Sequence, residues 1–398
     1  MSMEPISLEV SFQQAIRDLQ EEPKHHWSRD QRAYAAKADG RPAVKIAVGN
    51  VPLDYDLWSG LRNPAVSGLY PAGLQEIWEF FAHQRRQRLD TSGRPTIFQV
   101  PRTFDYAREH YSRAVLISAM LPFSPDIMEA YVNSVLAEQA ASSHLFSRMY
   151  EETTEILDQA TSRVAMELTS AHKVVIPMTN ENVDKLSHQA IPATHQDSAH
   201  GPCKGGNFPQ KSLAVLLGLG QFGVSRIIFR DEVMGQEVQR FVGPLRSVVV
   251  FDTSPLVTDG SDGMIFPTEG WREFLFSLYN FTRTESDINQ HRFCSYFPVD
   301  DSSGCGECIQ HCPSGAQAAS VPLPTGGYSD QVASQIHRFH DSKLQFDFSR
   351  CCEDRGQMTT LFPEWSCARC VAMCQVRGRR RAASVRNFKE EAMRLTSV

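Results

Sequence analysis

Apolar positions set the first framework of the chain. Ala114-Val-Leu-Ile-Ser-Ala-Met120 is a short apolar run stopped by Pro122, and it predicts a buried strand. Between Phe146 and Ala171, the residues Met149, Ile156, Leu157, Ala160, Val164 and Leu168 recur at spacings of three and four. That spacing predicts a long amphipathic helix. Val174-Val-Ile176, closed by Pro177, predicts a second buried strand. Strand, long helix, strand is the order of an α/β or α+β core. Gly73–Arg88 predicts a helix with Leu74, Ile77, Trp78 and Phe81 on one face. The polar stretch from Thr179 to Pro209 predicts a long loop, and such loops in compact domains usually carry function or motion. Gln210 to Gly220 predicts a short helix running into Gly218-Leu-Gly220. Strands are expected from Val224 to Phe229 and from Leu245 to Phe251, joined by a polar turn around Asp231–Gln236. Residues 294–376 predict little regular structure, and an amphipathic helix is expected toward Leu395.

Composition narrows the setting. The 398 residues allow two or three domains' worth of core. Hydrophobic residues make up 41% and charged residues 22%, as in an ordinary globular protein. The net charge of −6 gives no global basic field, which argues against nucleic acid as a partner. The basic run Arg377-Gly-Arg-Arg-Arg381 reads as a solvated tail. No stretch approaches the roughly 18–20 apolar residues of a membrane span. Met1–Val10 carries Glu4 and Glu9 and has no basic segment leading into an apolar run. The expectation is a cytoplasmic protein without membrane contact.

Cysteine changes the picture most. Of the 10 cysteines, Cys203 stands apart and the rest lie between Cys294 and Cys374. Clustered cysteines in a reducing compartment are more often metal ligands or redox groups than disulfides. Cys305-Gly-Glu-Cys308-Ile-Gln-His-Cys312-Pro313 is C-x₂-C-x₃-C-P, the last three cysteines of the bacterial ferredoxin run, with Ser302 at the first position. Cys367-Ala-Arg-Cys370-Val-Ala-Met-Cys374 repeats C-x₂-C-x₃-C, with Cys351-Cys352 upstream. Two intervening residues let a turn aim successive thiolates at neighbouring irons of one cluster. The cysteine beyond starts a helical turn and reaches the other cluster. In this crossed arrangement Cys312 joins Cys352 (or Cys351), Cys367 and Cys370, while Cys374 joins Cys305 and Cys308. The fourth ligand of the second cluster is then Cys294, Ser302 or none. Two iron–sulfur clusters are expected, one [4Fe-4S] and the other [4Fe-4S] or [3Fe-4S]. A tetrahedral Cys₄ zinc site would also use two C-x₂-C pairs. The C-x₃-C-P tail and the surplus cysteines favour clusters.

Two other features carry weaker chemistry. His195, His200 and Cys203 are metal-ligating types, but a solvated loop accounts for them as well. Gly218-Leu-Gly-Gln-Phe-Gly223 matches G-x-G-x-x-G, yet it follows a helix and enters a strand, the wrong context for a dinucleotide turn. Close approach of the backbone to something flat and bulky is the better reading of these glycines.

The order of these elements resembles the corrinoid iron–sulfur reductases, the family of cobalamin-dependent reductive dehalogenases and epoxyqueuosine reductases. Arg113 to Pro122 is similar to that family's strand ending in proline. Phe146-Ser-Arg-Met149 resembles the dehalogenases' Y-S-R-M, and Val175-Ile-Pro177 resembles the strand that follows. Leu213 to Ile228 resembles the segment that passes the corrin, and the two cysteine runs resemble the ferredoxin motifs. The resemblance spans about residues 110–376. It implies an α+β fold, a nitroreductase-like cobalamin-binding core with a C-terminal two-cluster ferredoxin-like domain. The division implied is 1–110 capping the core, 111–290 binding the corrinoid, and 291–398 holding the clusters and a basic tail. Electrons from an external donor (ferredoxin, flavodoxin or a reductase) would pass through the clusters to cobalt and on to a small organic substrate. By the same resemblance Phe146, Gly218, Gly220 and Gly223 would line the cofactor. Phe146 stands where the dehalogenases place a tyrosine proton donor, so Tyr150, one turn on, would take that role. Arg226 and Asn180 would sit near the substrate. The alternative is an iron–sulfur electron-transfer protein that has lost the corrinoid and serves a partner protein.

Overall fold

The computed structural model describes residues 5–21, 32–55, 72–84, 86–136, 141–170, 172–190, 208, 210–222, 227–234, 237–255, 264–265, 308 and 369–376. In chain order they form α1 (Pro5–Gln20), β1 (Lys45–Val51), and α2 (Leu74–Ile77), which continues as a π-helical turn over Trp78–Ala82. The hairpin β2 (Arg86–Leu89) and β3 (Pro95–Phe98) follows, then α3 (Phe104–His110) and β4 (Arg113–Met120). Next come α4 (Pro125–Leu136), α5 (Ala141–Leu168), β5 (Lys173–Met178), α6 (Asn180–Ala190) and α7 (Gln210–Leu216). The last are β6 (Gln221–Phe222), β7 (Ile228–Met234), β8 (Glu237–Val242), β9 (Leu245–Asp252), β10 (Met264–Ile265) and α8 (Arg369–Val376).

The principal sheet has the order β10-β1-β4-β9-β5. Every pairing in it is antiparallel except β1 with β10. All eight residues of β4 and all eight of β9 are buried, because helices cover both faces of the sheet. Period-2 alternation sorts the side chains. Ala114, Leu116 and Met120 of β4 pack with Val249 and Phe251 on the face lined by Trp78, Phe104 and Leu213. Val115, Ile117 and Ala119 pack on the other face with Leu8, Phe12 and Ile16 of α1 and Ile156, Leu157 and Val164 of α5. The fold is α+β, with helical layers on both sides of a largely antiparallel sheet. A second sheet, β6-β7-β8, is wholly antiparallel.

Several expectations meet the structure directly. The strands at Ala114–Met120 and Val174–Ile176 and the long helix are present, with the helix starting at Ala141 rather than Phe146. Pro177 does not close β5 but lies inside it, opposite Val248. β5 lies at the edge of the described sheet, the position where proline is tolerated within a strand. The stretch expected as loop from Thr179 begins with α6 instead. Its first N–H, on Asn180, donates to Asp158 Oδ1 at 3.0 Å. The same carboxylate receives the Arg246 guanidinium, Nη2 to Oδ2 at 2.9 Å, and so ties α5, α6 and β9 together. The expected turn at Asp231–Gln236 is a hairpin between β7 and β8, with Asp231 inside β7. β1, ahead of residue 110, pairs along its whole length with β4, and α1 packs on the same sheet.

Candidate functional site

Of the cysteine motifs, Cys308, Cys370 and Cys374 are among the described residues. Cys305, Cys312, Cys352 and Cys367 lie outside the described residues, as do Arg226, Gly223 and the His195, His200 and Cys203 group. Cys308 and Cys374 are buried and Cys370 is half-buried. Cys370 and Cys374 stand one turn apart on α8, four residues along one helix face.

An isolated helix of 8 residues does not hold itself together in water, so α8 depends on docking. Ala372, Met373 and Val376 enter an apolar cluster with Phe123, Met128 and Tyr131, and with Phe146 and Met149 of α5. Full burial of Met373 and Val376 is worth about 1.5–3 kcal/mol each. Gln375 Nε2 also donates to the Phe123 carbonyl at 3.4 Å. The second cysteine motif is thereby joined to the start of the long helix, more than 200 positions away in the sequence.

Arg240 of β8 completes this site, and sequence reasoning missed it. Its side chain is buried, and its guanidinium meets Asp231, Cys374 and Phe229 among the described residues. Nε and Nη2 donate to the two carboxylate oxygens of Asp231, each at 2.7 Å. Nη1 donates to Cys374 Sγ at 3.7 Å. The ring of Phe229 lies 3.9 Å from the guanidinium carbon. The available signal was an arginine next to the apolar pair Phe241-Val242 in Glu237-Val-Gln-Arg-Phe-Val242, where burial would demand a partner.

The other expected residues are placed as follows. Phe146 is 2% exposed and covered by Phe123 and Tyr131, with ring centroids 5.6 and 5.3 Å away. Tyr150 is 40% exposed and stacks on Phe146 at 6.2 Å. Asn180 is exposed at the start of α6. Gly218 has φ +74, the left-handed value that suits glycine after a helix, and a Cβ there would meet open space. At Gly220 a Cβ would come within 2.7 Å of Ile228 Cγ2 and of the Phe229 carbonyl. The close approach that requires glycine at 220 is therefore to the chain's own strand β7.

A scan of protein-family models, a search of curated proteins and a search of solved structures all give no match to this chain. Among the described residues no helix is long and apolar enough to cross a membrane.

The donor chemistry at α8 fits an iron–sulfur cluster. Cys374 is buried, and a desolvated cation lies beside it to balance the negative charge of a thiolate-ligated cluster. The residues named for a corrin divide. Phe146 and the space at Gly220 are taken up by the chain's own packing, whereas a Cβ at Gly218 would meet no described atom and Tyr150 is partly exposed.

Glu152 lies two residues beyond Tyr150. Burial lifts its carboxyl to about 7, with Arg148 opposing and Glu155 adding to the rise. The folded state thus favours the proton. The stabilisation is complete below the ordinary carboxylate value and is lost as pH rises through about 7. Glu152→Gln should flatten the fall in stability between about pH 5 and 8. It should raise stability at the alkaline end by roughly 1 kcal/mol, since the group is half-exposed and screened. Thermal melts of both proteins across that range check this, and parallel pH profiles would refute it.

Proposed function

We propose that the chain is an iron–sulfur reductase of the corrinoid type, acting on a small organic substrate. Its clusters would be held by Cys305, Cys308, Cys312, Cys352, Cys367, Cys370 and Cys374. The observation that carries the reading is the docking of α8: a helix bearing two cluster-type cysteines is seated on the Phe146–Met149 turn, the segment from which Tyr150 emerges. When bound, the clusters supply one-electron transfer and cobalamin supplies a low-potential cobalt centre.

The chain's own residues would do the rest. α8 fixes Cys370 and Cys374 against the core and keeps water from Cys374. Tyr150 offers a hydroxyl at an exposed position above Phe146, where it can deliver a proton to a substrate docked on that surface. Asn180 begins α6 at the C-terminal end of β5, a position open to a polar substrate group. An external ferredoxin, flavodoxin or reductase would supply electrons.

A second reading is an electron carrier that has lost the corrinoid and serves a partner protein. It is favoured by the packing at Phe146 and Gly220, which leaves no space there for a cofactor. Iron, sulfide and cobalt analysis separates the two. The protein would be purified without oxygen from cells supplied with cobalamin. About seven or eight irons with one cobalt per chain support the reductase. The same iron without cobalt, even after cobalamin is added, leaves the electron carrier. Zinc in place of iron removes both.

A further inference from the structure

We propose that Arg240 is a positioning residue that tunes the cluster bound through Cys374, with Asp231 as its built-in counter-charge. The inference rests on the cluster reading above and goes beyond it to the control of potential.

The geometry leads there. The guanidinium offers N–H groups in a fixed planar fork. Two of them are committed to Asp231 at 2.7 Å each, which locks the plane of the group. The remaining edge then points Nη1 at Cys374 Sγ, 3.7 Å away. Phe229 closes one face of the guanidinium, and the side chain is only 3% exposed. A lysine could supply charge but could not hold both Asp231 oxygens and a sulfur in one plane. The arrangement is a supporting layer for a ligand, of the kind that orients a metal-binding side chain and adjusts the metal's properties.

The electrostatic consequence has a definite sign. Reduction adds one negative charge to a cluster. A buried cation beside a ligating sulfur stabilises the reduced state more than the oxidised one, and burial limits screening. Hydrogen bonds to cluster sulfurs and local charge are among the factors that set potential. Asp231 works against Arg240, being a negative charge bound to the same guanidinium. Its side chain is 24% exposed, so water also damps it. Loss of the Arg240 charge should therefore make the cluster harder to reduce. Loss of the Asp231 charge should make it easier.

Opposite shifts from two residues in contact are a signature that loosened packing does not produce. The test is an EPR-monitored redox titration with dithionite of the full chain, purified without oxygen. Arg240→Gln, Arg240→Lys and Asp231→Asn are compared with the unmutated protein, with iron measured on each sample. For one cluster, Arg240→Gln should lower the reduced-to-oxidised ratio at fixed potential about tenfold, which is about 59 mV for one electron. Asp231→Asn should move the same cluster in the opposite direction, and Arg240→Lys should fall between Arg240→Gln and the unmutated protein. The other cluster should not move. Loaded variants with unchanged potentials, or with shifts of the same sign, overturn the inference and leave the cluster reading intact. No iron in the unmutated protein overturns the cluster reading itself, and the inference with it. Where Arg240→Gln does not fold, the sign of the Asp231→Asn shift decides.

Discussion

Asp252→Ala should lower the unfolding free energy by about 3–5 kcal/mol, the usual cost of stranding a buried charge. Asp252 ends β9 and is fully buried. Arg113, opposite it on β4, is 3% exposed, and Arg113 Nη2 lies 3.3 Å from Asp252 Oδ2. Arg113 Nη1 donates to Asn50 Oδ1 of β1 at 2.8 Å, and Lys173 of β5 brings its ammonium to 3.7 Å from the carboxylate. The carboxylate is thus a shared acceptor at one end of four adjacent strands. Without it, the buried guanidinium loses its carboxylate while keeping its bond to the Asn50 amide. Typical domains have only about 5–15 kcal/mol in hand, so the loss is a large fraction. Urea midpoints at unchanged slope would measure it. Arg113→Met combined with Asp252→Leu should recover most of the loss, because the buried guanidinium leaves with its carboxylate and the remaining cation, Lys173, is partly exposed to water. An Asp252→Ala cost below about 1 kcal/mol would mean that the pair is solvated in solution.

That same ion group shows where the sequence was readable and where it was not. β4 stood out because all but one of the residues from Ala114 to Met120 are apolar, as a strand covered on both faces requires. The long helix stood out through its three-and-four spacing, and its buried residues Ile156, Leu157, Ala160 and Val164 are the ones that spacing selects. α6 was hidden because Asn180-Glu-Asn-Val-Asp-Lys-Leu-Ser-His-Gln-Ala190 carries few apolar residues, so periodicity had almost nothing to act on. β8 was hidden because Glu237, Gln239 and Arg240 break up its apolar pattern, so no strand is expected between the polar turn around Asp231–Gln236 and Leu245. Only its pairing with β7 and the partners of Arg240 make burial of that arginine affordable.

The site divides in the same way. Cysteine spacing is local and survives in the sequence, so Cys308, Cys370 and Cys374 could be singled out without a fold. Arg240 reaches Cys374 across 134 positions, and no local pattern reports a contact of that range. Gly220 shows the opposite failure. Its need for close approach was legible, but spacing alone could not say whether the neighbour was a ligand or, as found, Ile228 and Phe229 of the same chain. Phe146 fell at a motif position, yet its burial among Phe123 and Tyr131 comes from α4 and the Pro122 turn, which the motif does not encode.

Cys370→Ala and Cys374→Ala should each remove about half of the bound iron, and the two variants should lose different clusters. The two sulfurs sit one turn apart on α8, so a single site could take both only if both turned toward it. In the crossed arrangement they part company. Cys370 serves the cluster shared with Cys367, and Cys374 crosses to the cluster of Cys305 and Cys308. Their surroundings already differ: Cys374 is buried against Arg240, whereas Cys370 is half-buried. Each single variant should keep one cluster signal, and the double variant should keep neither. A tetrahedral Cys₄ site behaves otherwise, because loss of any one ligand empties it. If each single variant alone abolished all metal, the two-cluster reading would fall and one shared site would replace it. Alanine is the suitable replacement because it has no atom that can ligate iron, and Met373 and Val376 keep α8 docked while the sulfur is removed. Iron per chain and low-temperature EPR on the three variants therefore report ligation rather than loss of the helix. An unchanged far-ultraviolet spectrum and melting temperature of the metal-free proteins would show that α8 remains in place.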